Sequence, residues 1–116
     1  MNNELIRSTI TGLLKDKSWD IHTDNDYALR WAAANGCQDL IKLLIKYGAY
    51  IHCDDDSPLR IASAKGNIEA VGILLENGAN VHAEDDYAMR WALSGKHYKV
   101  VKLLSKYIED GSEVKI

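Results

Sequence analysis

Apolar positions fall into two helical patterns that alternate along the chain. Over one stretch Ile68, Val71, Leu74 and Leu75 follow one another at spacings of 3, 3 and 1, which places them on one side of a helix. Before it, Leu59, Ile61 and Ala62 give a shorter apolar face that runs to about Ala64. Lys65-Gly66-Asn67 between them predicts a turn, with Gly66 free to take positive φ. Upstream, Asp54-Asp55-Asp56-Ser57-Pro58 is a turn-and-cap cluster, with Ser57 as N-cap and Pro58 in the first helical position. Downstream, Asn77-Gly78-Ala79-Asn80 ends the second helix and Val81-His82-Ala83 leads onward. Residues 54–83 therefore predict helix, tight turn, helix and short extended loop.

The same pattern returns every 30 residues. Asp26-Tyr27-Ala28-Leu29-Arg30-Trp31-Ala32 is matched by Asp56-Ser57-Pro58-Leu59-Arg60-Ile61-Ala62 and by Asp86-Tyr87-Ala88-Met89-Arg90-Trp91-Ala92. Ile21-His22, Ile51-His52 and Val81-His82 keep the same phase. A fixed period of this size marks a stacked array, in which each unit covers its neighbour's apolar face. The first helix of each unit is about eight residues, below the ~12–15 at which an isolated helix becomes even marginal in water. Its stability must come from stacking. Ala32, Ala62 and Ala92 are small enough for close helix approach, and Trp31, Ile61 and Trp91 should form an apolar row in the core.

An open stack needs polar outer faces. Leu5, Ile6, Ile10, Leu13 and Leu14 share one side of a predicted helix over 3–16, in phase with the second helices of later units. Residues 1–23 thus read as an N-terminal capping half-unit, followed by repeats over 24–53, 54–83 and 84–108. Lys99, Lys102, Ser105 and Lys106 make the last helix polar, and 109–116 read as a charged, frayed tail. On this reading residues 1–108 form a single all-α solenoid domain.

Composition narrows the function. A net charge of −3 argues against nucleic acid, whose phosphates call for a basic face. No apolar run approaches the ~20 residues of a membrane span, and the start of the chain lacks a secretory pattern. Cys37 and Cys53 form no CxxC and read as free thiols in a reducing, cytoplasmic setting. There is no phosphate loop, no His-Glu-x-x-His and no zinc spacing, and no nucleophile motif. The chain is accordingly read as a monomeric non-enzyme without cofactor or metal.

The first-helix Leu-Arg-x-Ala, the Gly at the inter-helix turn, the Leu-Leu of the second helix and the closing Gly48-Ala49 and Gly78-Ala79 together resemble the ankyrin repeat over roughly residues 9–108. The family's Thr-Pro-Leu-His-x-Ala is matched best by Ser57-Pro58-Leu59-Arg60-Ile61-Ala62. The wording of the heptapeptide and the short period resemble ankyrin proteins of giant DNA viruses of amoebae, which would place the chain in host cytoplasm. The usual unit is about 33 residues. The deficit falls where the family builds its projecting β-turn fingers, so these should be clipped. In the third unit Gly95-Lys96 replaces Asn35-Gly36 and Lys65-Gly66, which predicts a rearranged turn.

His22, His52 and His82 recur as a row. Neighbouring helices stand about 8–10 Å apart, too far for one zinc held at ~2.0–2.1 Å, so loop bracing is the preferred role. Acidic clusters Asp24-Asn25-Asp26, Asp54-Asp55-Asp56 and Glu84-Asp85-Asp86 should line one edge. Arg30, Arg60 and Arg90 stand four residues after each last Asp, the spacing of a helical ion pair, and that Asp can also cap its own helix. Asp24, Asp54, Asp55, Glu84 and Asp85 would remain free for a basic partner.

By resemblance, partners lie against the loops and the ends of the first helices. This implies a surface of Asp24, Asn25, Tyr27, Asn35, Asp54, Asp55, Ser57, Lys65, Glu84, Asp85 and Tyr87. Tyr27 and Tyr87 can alternatively shield the edges of Trp31 and Trp91. The implied function is a non-catalytic module binding another protein. The alternatives are a substrate adaptor for a host ubiquitin ligase, and a metal or enzymatic protein using the repeated histidines.

Overall fold

A computed structural model describes residues 3–16 and 19–110. The expected tail from 111 onward, and the first two residues of the capping half-unit, lie outside the described residues.

Seven helices follow one another: α1 (Asn3–Lys15), α2 (Thr23–Ala34), α3 (Gln38–Lys46), α4 (Cys53–Lys65), α5 (Ile68–Glu76), α6 (Ala83–Ser94) and α7 (Tyr98–Asp110). They form two layers. α2, α4 and α6 pack side by side in one, and α1, α3, α5 and α7 in the other. Each later pair, α2–α3, α4–α5 and α6–α7, packs as a hairpin, while α1 rests on α3. The molecule measures 42 × 32 × 21 Å. The described residues contain no strand, as the all-α solenoid reading requires.

The core runs between the layers. Leu29, Leu59, Ile41, Val71, Leu44, Leu74 and Leu104 are fully buried. Ala32, Ala62 and Ala92 show no exposed surface, which confirms that small side chains let the first helices touch. The Trp31–Ile61–Trp91 row differs from expectation. Trp31 and Ile61 are half-buried and Trp91 is 47% exposed, so the row lies along the flank of the first layer rather than in the core. Of the apolar side of α1, Ile10 and Leu14 meet the core and Leu13 stays 36% exposed.

Helix ends explain how one hairpin leads to the next. After α3, Gly48 takes φ +98 and donates to Ile45 O, while Ala49 donates to Leu44 O. Gly78 and Ala79 repeat this at the end of α5. These paired bonds satisfy carbonyls the helix leaves open. The last helix lacks this Gly-Ala and runs on to Asp110, past the boundary expected at 108.

The inter-helix turn of the third unit is not rearranged. Gly36 has φ +65, Gly66 φ +75, and Lys96, at the same repeat position, φ +60. The glycine has moved back one place and a lysine holds the left-handed conformation. Gly95 is retained for a different reason. A Cβ there would stand 2.5 Å from His97 Nε2, and one on Gly66 would stand 2.5 Å from His97 Nδ1. The imidazole is wedged between two glycines.

Candidate functional site

The acidic clusters are not projecting fingers. In every unit three consecutive residues adopt left-handed conformation: Asp24, Asn25 and Asp26, then Asp54, Asp55 and Asp56, then Glu84, Asp85 and Asp86, all with φ between 50 and 59. L-residues pay roughly 1–2 kcal/mol each for this. Asp and Asn tolerate it best, which is the local reason for the composition of these segments. Each makes one left-handed turn, closed by Asp26 N–H to His22 O, Asp56 N–H to His52 O and Asp86 N–H to His82 O. The clipped loop is thus a compact knuckle joined directly to the first helix.

The arginines hold this turn from above. Arg30 Nη2 donates to Asp24 O at 2.7 Å and its Nε to Asn25 O at 3.1 Å. Arg60 does the same to Asp54 O at 2.9 Å and Asp55 O at 3.0 Å. Arg90 repeats it on Glu84 O and Asp85 O. The Asp26/Arg30, Asp56/Arg60 and Asp86/Arg90 ion pairs expected from spacing do not form. A left-handed turn aims two carbonyls along one side, and a planar guanidinium matches that pair of acceptors better than it matches the carboxylate.

The third acid of each triplet has another partner. Asp26 Oδ1 lies 2.9 Å from His22 Nδ1, and its Oδ2 accepts the Tyr50 backbone N–H at 2.8 Å. Asp56 pairs with His52 Nδ1 at 3.0 Å and accepts Asn80 N–H at 2.8 Å. An ionised carboxylate only accepts, so Nδ1 of each histidine carries the proton. Both carboxylates are buried. They tie each unit's loop to the next rather than capping their own helix, and the histidines brace them, as expected of that row. His82 and Asp86 form the third pair at 2.6 Å, with the Asp86 side chain 52% exposed.

A second set of ties crosses the inter-helix turns. Asn67 Nδ2 donates to Ala33 O and Ala34 O, at the end of the preceding unit's first helix. His97 Nε2 donates to Ala64 O at 3.1 Å, one unit on. Cys37 holds the equivalent place in the first unit, and its Sγ turns to Asn35 O. Cys53, fully buried, has its thiol pushed up to about 11 by desolvation, with Asp26 the next contributor and Arg30 opposing.

The predicted surface divides accordingly. Asp24, Asn25, Asp54, Asp55, Glu84 and Asp85 are all exposed. Among the described residues, none of their side chains forms a hydrogen bond or ion pair. Tyr27 is 53% exposed, with Arg30 above its ring at 5.3 Å. Lys65 is exposed, and so is Asn35, whose Nδ2 donates to Trp31 O. Ser57 is not available, being buried in the first turn of the right-handed part of α4. Tyr87 is half-covered. It packs on Trp91 with centroids 5.6 Å apart, and the Arg60 guanidinium of the preceding unit sits 4.9 Å above it. This contact with Trp91 is the one that the shielding alternative describes.

Sequence reasoning missed Tyr50, which is 55% exposed on the same loop edge and meets His52 edge-on. Its period partner is Asn80, so repetition gave no signal. It also missed Asn67 and His97, whose donors act across units. A cleft of about 250 Å³ lies beside the α2–α3 turn, lined among others by Arg7, Trp31, Asn35, Cys37 and Asp39. Among the described residues, these side chains form no nucleophile–base hydrogen bond.

Stacked helical hairpins, tied loop to loop at a fixed period, meet their counterpart in a known family. A family model for ankyrin repeats, spanning three copies, matches residues 2–85. The chain belongs to the ankyrin repeat family. No curated protein matches it. The matched span ends inside the third left-handed turn, yet α6 and α7 continue the ankyrin arrangement. Ankyrin repeats are in general protein-interaction modules, and generally non-catalytic.

Proposed function

We propose that this ankyrin chain binds a protein partner along its acidic loop edge, through a basic patch on that partner. The observation that carries the reading is the division of labour in each triplet. The third acid is engaged in structure, and arginine takes backbone carbonyls instead of carboxylates. Asp24, Asp54, Asp55, Glu84 and Asp85 are left exposed and without a side-chain partner among the described residues. A row of one sign at a regular spacing steers and orients a complementary surface. Tyr27 and Tyr50 flank the row with large exposed rings, which suit an interface at low entropic cost. A reducing, cytoplasmic setting belongs to the same reading, supported by free Cys37 and Cys53.

The test replaces Asp24, Asp54, Asp55 and Asp85 by Asn, which keeps left-handed tolerance while removing charge. Wild-type and variant chains of equal melting temperature are used to capture proteins from cell lysate at low and high salt. Proteins held by the wild type, released by salt and lost from the variant support the reading. Retention of the same proteins by both chains refutes the acidic edge as the binding surface.

A further inference from the structure

The joint between α1 and α3 is polar where the later joints are core. In the repeat, Thr11 stands where Ile41 and Val71 stand, and Lys15 where Ile45 and Leu75 stand. Ile41, Val71 and Leu75 are buried, whereas Thr11 is half-buried and Lys15 exposed. Gly12 recurs as Gly72. Leu103 of α7 comes within 3.8 Å of a Cβ placed on Gly72, while nothing comes within 4 Å of one placed on Gly12. A groove of about 500 Å³ results, with Gly12 in its floor and Leu43 and Lys46 of α3 across from it. The end of a stack calls for polar residues on the side away from its neighbour. These lie on the side that α3 flanks, so capping does not account for them. A glycine inside a helix is destabilising relative to alanine, and no packing contact requires this one.

Charge indicates what fits there. Arg7, Lys15 and Lys46 line the groove, and among the described residues no carboxylate does, in a chain of net charge −3. The ion pairs among the described residues join histidine to aspartate, so none neutralises these three cations. Lys15 and Lys46 close α1 and α3. A lysine in the last turn suits the helix dipole, but α5 closes on Glu76 at the repeat position of Lys46, so the dipole alone does not demand it. Arg7 stands at the other end of the groove, two turns before Lys15, a rise of about 12 Å. Both side chains lean toward the helix N-terminus, which keeps their charged heads apart. Ser8 adds a hydroxyl beside Arg7, while Thr11 gives its own hydroxyl proton to Arg7 O. A guanidinium fork at one end and two ammonium groups at the other match two oxyanions on one compact scaffold. We infer that the α1–α3 groove binds a small polyphosphate, with one phosphoryl group against Arg7 and Ser8 and another between Lys15 and Lys46. This site does not rest on the acidic loop edge.

The probe is inositol hexakisphosphate, titrated into the full chain at about 0.15 M salt and followed by calorimetry and by NMR shifts of the Gly12 amide. Lys15→Gln and Lys46→Gln should each weaken binding by about tenfold. Lys42→Gln makes the same change at an exposed position of α3 outside the groove, and should leave binding unaltered. Gly12→Leu fills the groove without a clash. It should keep or raise the melting temperature, because leucine favours the helix, and abolish binding, which separates a lost site from a lost fold. Vesicles carrying phosphatidylinositol bisphosphate distinguish the source of the phosphates. Groove-dependent binding to the soluble probe alone marks a free polyphosphate, and groove-dependent binding to the vesicles as well marks a lipid headgroup; either supports the site. An equal loss from Lys42→Gln, undiminished binding by Gly12→Leu, or equal affinity for a single-stranded oligonucleotide would reduce the effect to general attraction of polyanions and overturn the inference. So would no binding at about 1 mM probe.

Discussion

The joint between the second and third units and the outward side of the third unit start from nearly the same sequence and end in different states. Asp56 and Asp86 occupy one repeat position, with φ 58 and ψ 38 in one and φ 59 and ψ 38 in the other. Each pairs with a histidine four residues back. Among the described residues, Asp56 also accepts an N–H from the next loop and Asp86 does not, and of the two Asp56 is the buried one. The difference lies in the neighbour rather than in the residue. After α5 the chain turns at Gly78 and returns Asn80 to Asp56, whereas α7 runs on without that glycine. What locks one unit to the next is therefore supplied by the unit that follows, as a one-dimensional stack requires.

The largest effect should come from splitting this pair. Asp56→Ala leaves the Asn80 N–H without its acceptor and frees His52, at a cost of about 2–3 kcal/mol. Asp86→Ala makes the same chemical change at the same backbone angles, so its strain contribution is equal and cancels in the comparison. It should cost under about 1 kcal/mol, as an exposed pair does. Urea melts of the two variants give the difference directly. Equal losses would mean that the carboxylate matters only within its own turn. Next in size is Gly66→Ala. It forces an L-residue to φ +75 and drives a Cβ to 2.5 Å from His97, with an expected loss of about 2 kcal/mol. Gly78→Ala, at φ +96 with open space around it, isolates the backbone part of that loss. If both cost the same, the wedge of His97 between units contributes nothing.

How much of this was legible in the sequence differs between the two scales of the fold. The stack was legible because it repeats. Ala32, Ala62 and Ala92 marked the close approach of the first helices, and Gly48-Ala49 and Gly78-Ala79 marked the ends of the second. The knuckles were not, because Asp-rich segments before a helix suggest caps and i,i+4 pairs, both local. Besides His22 Nδ1, Asp26 has a second partner in the Tyr50 N–H, 24 residues away, and no spacing rule within one unit finds that one. A usable signal was present in the near-exclusive Asp and Asn of the triplets, the residues that best tolerate positive φ. Glu84 in the third unit masked it. Of the candidate surface, the charged positions Asp24, Asp54, Asp55, Lys65, Glu84 and Asp85 are exposed. Ser57 is buried and Tyr87 half-covered, because the same repeat position is covered to different degrees along a finite stack.

A smaller effect with the opposite sign tests the covered face itself. Ser63 is fully buried, and among the described residues its Oγ has no hydrogen-bond partner. Ala33 fills the same place one unit earlier without a polar atom. Ser63→Ala should stabilise the chain by about 1 kcal/mol, because it removes an unsatisfied hydroxyl and leaves almost no cavity. A measured loss instead would show that the hydroxyl finds an acceptor in solution.

The smallest effect contrasts the two turns that flank His97. The second unit gives the left-handed position to Gly66, and the third gives it to Lys96 while keeping its glycine at 95. Gly95 is fixed by the approach of His97, so the third unit cannot exchange the two residues, and Lys96 bears the strain. Lys96 is exposed, so replacing it removes little packing. Lys96→Gly should relieve the left-handed strain but loosen the unfolded chain. The two effects leave a net gain of about 0.5–1 kcal/mol, seen as a melting temperature higher by a few degrees. Lys96→Asn should recover part of that gain without the entropic loss. Failure of both to stabilise would mean that the lysine is relaxed at φ +60, and that the two turns differ only in sequence.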